Sequence, residues 1–388
     1  MRKIISLIMV LFLTFGAIGC FFQLKKIDEG DNTSSSSSGT SIGKEESGES
    51  SSSGTGTSSG SISESESEST GSSTGGSESE SEKESTSESE SVSESESTSE
   101  SESTTPQVKT LGSLEVGSKV KVSHSEMGDI EFLIVDKDHD GYPSNSTTLI
   151  TEKIIAFRAF DAKEPDNSNS SRKSYGYERY SVSNLDQWLN SSAAAGQWYS
   201  ARHSADNAPS TDFVSSNAYD QEAGFLAGFD AAFVAVLKDT TIIVAKNPHN
   251  DGGGSESITR KIFLPSRIEI YGQRGALIAE GSRLSYFENP SETFDIRCEK
   301  RIAVISEYAA SHSEYPKTAG AAYEYWLRTV DSSSMSMVSY VLSDGKFDTS
   351  KSSYAFNTSG VRPLCNLSSD TKVSESPDEN GYYSLVFN

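Results

Sequence analysis

From residue 108 onward, short apolar runs are separated by polar breaks. GSKVKV (117–122) and IEFLIVDKDHDG (130–141) are rich in β-branched and aromatic residues and predict two strands, the second running into a polar turn. STTLIT (146–151) predicts the returning strand. TTIIVA (240–245), KIFLPS (261–266), YEYWLRTV (323–330), MVSYVLS (337–343) and SLVFN (384–388) predict further strands. The clearest helix is SVSNLDQWLN (181–190): Ser181 or Ser183 can cap it, and Leu185, Trp188 and Leu189 share one face at i, i+3 and i+4. GFLAGFDAAFVAVLKD (224–239) is apolar and partly helical, and FDAKEPDNSNSSRKSYG (160–176) reads as a long polar loop. Strands and short helices mix without a regular βαβ alternation. The expectation is an α+β fold with a largely antiparallel sheet, as one domain over 108–388.

The first hundred residues follow a different pattern. Arg2 and Lys3 precede a nearly unbroken apolar run, Ile4 to Phe15, which is too short for a membrane span and fits the core of a secretory signal. Ala17-Ile18-Gly19-Cys20 resembles a bacterial lipobox. Residues 1–19 are therefore expected to be a lipoprotein signal peptide, Cys20 the lipidation site and 20–33 the lipid-anchored N-terminus, with an ordinary cleaved signal as the alternative. Acyl methylenes buried at about 0.8 kcal/mol each make such an anchor durable when more than one chain is attached. Residues 34–107 are almost wholly Ser, Glu, Thr and Gly and have nothing to bury, which predicts a disordered, extended stalk. Gly39-Thr40-Ser41-Ile42-Gly43 matches the G-x-S-x-G hydrolase pattern, but it lies in this tether rather than at a strand-to-helix elbow.

Charge sharpens the division. The chain carries a net −23; residues 21–107 hold 19 Asp and Glu against 4 Lys and Arg, and residues 108–388 keep only −10. No basic patch suits nucleic acid, so none is expected as a partner. Cys298 and Cys365 lie in a domain expected to be exported. They could form a bridge or remain two buried thiols.

Candidate chemistry is sparse. Asp136, Asp138, Asp140 and Gly141 match the first half of a calcium-binding EF-hand loop, but its twelfth position is Thr147 instead of a bidentate Glu. A polar hairpin turn accounts for the same residues, so no cofactor is expected, with calcium at these three aspartates as the alternative. Glu164-Pro165-Asp166 resembles the triplet with which C-type lectins hold calcium and sugar, without the Trp-Asn-Asp that follows it there; a proline-initiated turn is the competing account. His124, His139, His203, His249 and His312 are scattered, with no metal-ligand spacing, and no phosphate loop or dinucleotide fingerprint is present. No catalytic residue is assigned.

The stretch from 160 to 204, EAGFLAGFD, TRKIFLPSRIEI, YWLRT and GVRPLCNLSSD occur in order, and together they resemble a bacterial family of unknown function numbered six-two-seven-three, from about residue 110 to the C-terminus. The ending, WLR followed by GVRP, is similar to that of C-type-lectin-like folds, including formylglycine-generating enzymes and the targets of diversity-generating retroelements. The catalytic cysteine pair of the former has no equivalent here. The latter implies a fixed frame around a replaceable surface segment. That segment would be 331–357, with Asp331, Ser332, Ser334, Ser336, Met337, Ser339, Tyr340, Lys346, Asp348, Tyr354, Phe356 and Asn357 as ligand-binding residues. Their chemistry resembles a paratope: rigid aromatic area, adaptable hydroxyls and amides, and polarizable methionine, Ser333 and Met335 included. Trp188, Trp326, Arg328, Gly360 and Arg362 would be structural.

The sequence thus leads to a surface lipoprotein in the cell envelope, exposed outside the cytoplasmic membrane. It would display a C-type-lectin-like domain that binds an extracellular protein or glycan through 331–357, a segment open to diversification. It is not expected to be an enzyme. The alternatives are an extracellular enzyme on cell-wall or polysaccharide substrates, and an envelope-structural protein without a specific ligand.

Overall fold

Each stretch predicted as a strand contributes one, of varied length. In the computed structural model, which describes residues 108–272, 278–288, 297–346 and 352–387, the first strands are β1 (Lys119–His124), β2 (Gly128–Lys137), β3 (Ser146–Thr151) and β4 (Ala156–Ala159). They are followed by β5 (Thr240–Ala245), β6 (Ser255–Arg260), β7 (Ile262–Phe263), β8 (Ala303–Val304), β9 (Ala322–Tyr323) and β10 (Tyr325–Val330). The last are β11 (Met337–Val341), β12 (Ser352–Tyr354), β13 (Thr358–Val361), β14 (Leu364–Ser368), β15 (Lys372–Val373) and β16 (Tyr382–Val386). Five short α-helices are described: α1 (Ser170–Tyr175), α2 (Asn184–Leu189), α3 (Ala231–Val236), α4 (Arg267–Tyr271) and α5 (Glu307–Ser311). The chain is therefore a mixed α+β protein, mostly sheet.

One sheet runs β15-β16-β1-β2-β3-β14-β7 and a second runs β12-β11-β10-β13-β4. Most pairings are antiparallel; β1 with β16 and β10 with β13 are parallel. The two sheets are joined by one two-stranded ribbon. β3 pairs with β14 in the first sheet, and their chain neighbours β4 and β13 pair in the second. Arg362 and Pro363 sit where the ribbon changes sheet. Thr151 N–H donates to Pro363 O (3.0 Å), and Arg362 Nε donates to Thr151 O (2.9 Å). Proline has no ladder donor to lose at such a bend.

β3, β4 and β10 are buried on both faces, which is why each reads as a continuous run rather than an alternation. Their side chains join Trp188, Phe160 and Phe263 in the core. Ser183 caps α2 by accepting from Asp186 N–H (3.1 Å), and Leu185, Trp188 and Leu189 are buried. The stretch 160–176 is not wholly loop, because α1 occupies its second half. Asn169 caps that helix, accepting from Ser171 N–H (2.9 Å) and Arg172 N–H (3.2 Å), and none of its residues is buried. Gly176 ends it at φ +77°, where a Cβ would lie 2.7 Å from Asp161 O.

Cys298 and Cys365 are both buried and do not form a disulfide. No helix among the described residues is long and apolar enough to cross a membrane. The signal peptide, Cys20, the 20–33 segment, the 34–107 stalk and Asp348 lie outside the described residues.

Candidate functional site: a groove built on a held loop

Buried anchors form the frame of the site. Trp326 is fully buried, and its indole N–H donates to Arg158 O (2.9 Å). Arg328 is 1% exposed, and each of its donor nitrogens has a partner. Nη1 reaches Glu269 Oε2 (2.7 Å) and Leu264 O (2.9 Å), Nη2 reaches Glu269 Oε1 (2.6 Å) and Glu280 O (3.0 Å), and Nε reaches Ile243 O (3.2 Å). This bidentate pair ties the start of α4 to β10. Arg362 is buried, and its guanidinium also donates to Tyr325 Oη (3.2 Å). Gly360 lies in β13 where the chain passes β10; a Cβ there would meet Glu324 O at 2.6 Å and Ile154 Cδ1 at 2.9 Å. Trp188 packs in the core and donates to Ala223 O (3.0 Å).

Between these anchors, residues 331–336 form a loop held through its backbone. Asp331 N–H donates to Met337 O (3.0 Å), and Ala355 N–H donates to Ser336 O (2.9 Å). The amide of buried Asn247 donates to Asp331 O (3.0 Å) and Ser334 O (2.8 Å), while its oxygen accepts from His249 N–H (2.8 Å). The Asp331 carboxylate accepts from Ser333 N–H (2.8 Å), Ser333 Oγ (2.6 Å) and Ser352 Oγ (2.6 Å). These bonds define the loop without using the side chains of Ser332, Ser334 or Met335.

The loop closes one side of an open groove of about 270 Å³. Its walls include Met335, Met337 and Tyr354 from the segment, and Ser171, Tyr175 and His249 from outside it. Tyr175 and Tyr354 stack at 3.9 Å between centroids and 11° between planes, with Phe356 6.2 Å from Tyr175. Phe356 N–H donates to Tyr175 O (3.0 Å), and Lys163 Nζ lies 4.2 Å from the Phe356 ring centre. Met337 and Tyr354 are cross-strand partners in β11 and β12, at the outer edge of the second sheet.

Behind the loop lies buried charge. Glu178 is fully buried and accepts from Asn250 Nδ2 (2.8 Å), leaving Oε2 with no partner. Burial pushes its carboxyl above the usual range, and the neighbouring Asp251 carboxylate adds to the shift.

The predicted ligand-binding residues divide accordingly. Asp331, Ser334, Met337, Tyr354 and Phe356 belong to the groove or the loop and aromatic cluster that shape it, with Ser332 beside them. Ser336 and Ser339 are corrected: both are buried, so neither belongs to a contact surface, and Ser336 adopts φ +59°. Tyr340 packs its ring against Trp326 (6.3 Å) from the other face of β11. Lys346 pairs with Asp344 (3.1 Å) at the far end of the hairpin, and Asn357 faces a different depression. Ser171 and Tyr175 come from α1, and Asn247 and His249 from the loop between β5 and β6, so nothing in the composition of 331–357 points to them. The glycine run at 252–254, all at positive φ, is the sequence sign of the turn that positions Asn247.

The calcium alternative meets an arrangement that uses its ligands elsewhere. Asp136 accepts from His139 Nδ1 (2.6 Å) and from Ser285 Oγ (2.8 Å) and N–H (3.1 Å). Asp138 accepts from Ser146 N–H (3.0 Å) at φ +46°, and Asp140 is exposed, as in a polar hairpin turn. Among the described residues, the His, Cys and carboxylate groups that converge are Glu164, His203 and Asp206. There, Arg172 Nη2 already occupies the centre, donating to Glu164 Oε1 (2.7 Å) and contacting His203 Nε2 (2.7 Å). A guanidinium in that place disfavours a metal ion. Glu164 is also buried, so the Glu-Pro-Asp triplet does not present it to a sugar. Buried Asp161, whose carboxyl is raised by burial and then by Asp206, accepts from the Tyr177 and Asn184 N–H groups (3.0 and 2.9 Å) and serves the backbone.

A model described as "Domain of unknown function (DUF6273)" matches residues 145–369, and the chain belongs to this family. The match takes in the groove, the loop and both arginine anchors, and leaves β1, β2, β15 and β16 outside, a shorter span than the sequence motifs suggested. No curated protein and no solved structure matches the chain significantly.

Proposed function

We propose that the protein is a binding module: an extracellular protein or glycan is recognised in the groove walled by Tyr175, Met335, Met337 and Tyr354. The observation that carries this reading is the division of labour at 331–336. Backbone bonds, Asn247 and the Asp331 carboxylate fix the loop, while the side chains of Ser332, Ser334 and Met335 take no part in holding it. Such a loop can change its surface chemistry without changing its course, which suits recognition more than catalysis. The rest of the sequence reading belongs to the same proposal: a C-type-lectin-like frame, and display on the cell envelope through a lipidated Cys20 and an acidic stalk. The pairing of the WLR strand β10 with the GVRP strand β13 supports the frame.

The test is binding by the intact chain to arrays of glycans and extracellular proteins, with Met335→Ser and Tyr354→Ser beside the wild type. The reading expects a ligand whose binding falls at least about tenfold in either variant, with thermal unfolding unchanged in Met335→Ser and Tyr354→Ser still folded despite losing its stack on Tyr175. Ligands bound equally by all three forms, or no ligand on either array, would count against it.

A further inference from the structure

Successive residues of a strand point to opposite faces, so β12 sends Tyr354 to the groove and Ser353 to the other side. There lies a second depression, of about 260 Å³, just below the range usual for drug-sized ligands. Its aromatic wall is made by Phe157 and Tyr323, edge-to-face at 5.1 Å, with Tyr315 beside them at 57% exposure. Lys317 lies over this wall. Its ammonium is 4.1 Å from the Tyr323 ring centre and 5.2 Å from that of Phe157, and donates to Tyr323 Oη (2.9 Å).

Among the described residues, no carboxylate lies within ion-pair distance of Lys317. Glu324 feels its field, but burial holds the Glu324 carboxyl above its ordinary value; Glu314 is engaged by Asn217 N–H (2.9 Å). The opposite wall is polar. Asn357 donates to Ser353 Oγ (3.0 Å), and its carbonyl oxygen faces no donor among the described residues.

We propose that this depression binds a carboxylated sugar, its carboxylate on Lys317 and its ring against Tyr315 and Tyr323. One ammonium is a point charge matched to one monoanionic group, whereas a phosphate dianion favours an arginine fork. Flat aromatic faces opposite amide and hydroxyl groups fit the apolar face and polar rim of a sugar ring. A confined depression suits a compact unit better than an extended acidic peptide. The site is independent of the groove across β12, and either can fail without the other.

The experiment titrates the intact chain with galacturonate and glucuronate oligosaccharides, their methyl esters, and polyglutamate, by calorimetry. The acids are expected to bind, with the esters weaker by about tenfold or more, the cost of losing a charge-assisted hydrogen bond. Lys317→Met should produce a similar loss and Tyr354→Ser none. Tyr315→Ala, at an exposed position, supplies the same readout should Lys317→Met lower the melting temperature. The proposal is overturned by acids that do not bind, by esters that bind equally, by binding that survives both Lys317→Met and Tyr315→Ala, or by preference for polyglutamate.

Discussion

Replacing Asn247 with Ala would test whether the recognition loop is held from behind. The substitution touches no groove side chain, yet removes two bonds to the loop carbonyls of Asp331 and Ser334, at 3.0 and 2.8 Å, and the acceptor for His249 N–H at 2.8 Å. Asn247 is fully buried, so solvent replaces these partners poorly. At roughly 1 kcal/mol per bond, rising towards 3 where a buried group stays unpaired, the cost should be about 2–4 kcal/mol. Met335→Ser and Ser332→Tyr alter side chains that make no bond within the loop and should stay within about 0.5 kcal/mol of wild type. Urea unfolding measures the three differences, and amide hydrogen exchange across 331–337 locates the loosening. The reasoning fails if Asn247→Ala costs no more than the two surface changes, or if exchange in the loop is unaltered.

Gly360→Ala should destabilise by about 1–3 kcal/mol in the same unfolding assay, because the nearest obstacle to its Cβ is the backbone oxygen of Glu324 at 2.6 Å. Arg328→Ala should cost about 3–5 kcal/mol by stranding Glu269 in the core, and adding Glu269→Gln should recover part of that loss. Glu178→Gln should stabilise the protein at neutral pH and do little near pH 4. Its folded-state pKa is raised, so the folded state holds the proton more tightly, and wild-type stability falls as pH rises above the unfolded value of about 4.5. Melting temperatures of both forms across that interval would show the curves diverging upward in pH.

What the sequence revealed depends on range. β2, β3, β5, β10 and β11 were legible because β-branched and aromatic runs bounded by turns carry their own signal, and α2 because its cap and apolar face lie within ten residues. α1 was not legible, since it buries none of its residues and so lacks an apolar stripe; its signal is the Asn169 cap and Gly176. The segment 331–357 stood out by its composition, and part of it does line a groove. Composition could not tell Ser336 and Ser339, which face inward, from Ser333, which faces out, because the loop's course depends on Asn247, more than eighty residues away. Tyr175 and His249 come to the groove by tertiary packing alone.

The central claim is that a fixed frame carries a replaceable surface. A saturation scan of residues 325–362 in the intact chain, scored by protease resistance, tests it most directly. The account predicts near-neutral substitution at Ser332, Ser334 and Met335, whose side chains the loop does not use, and strong depletion at Trp326, Arg328, Val338, Gly360 and Arg362. Depletion at the loop's exposed positions as severe as at Trp326 would contradict it.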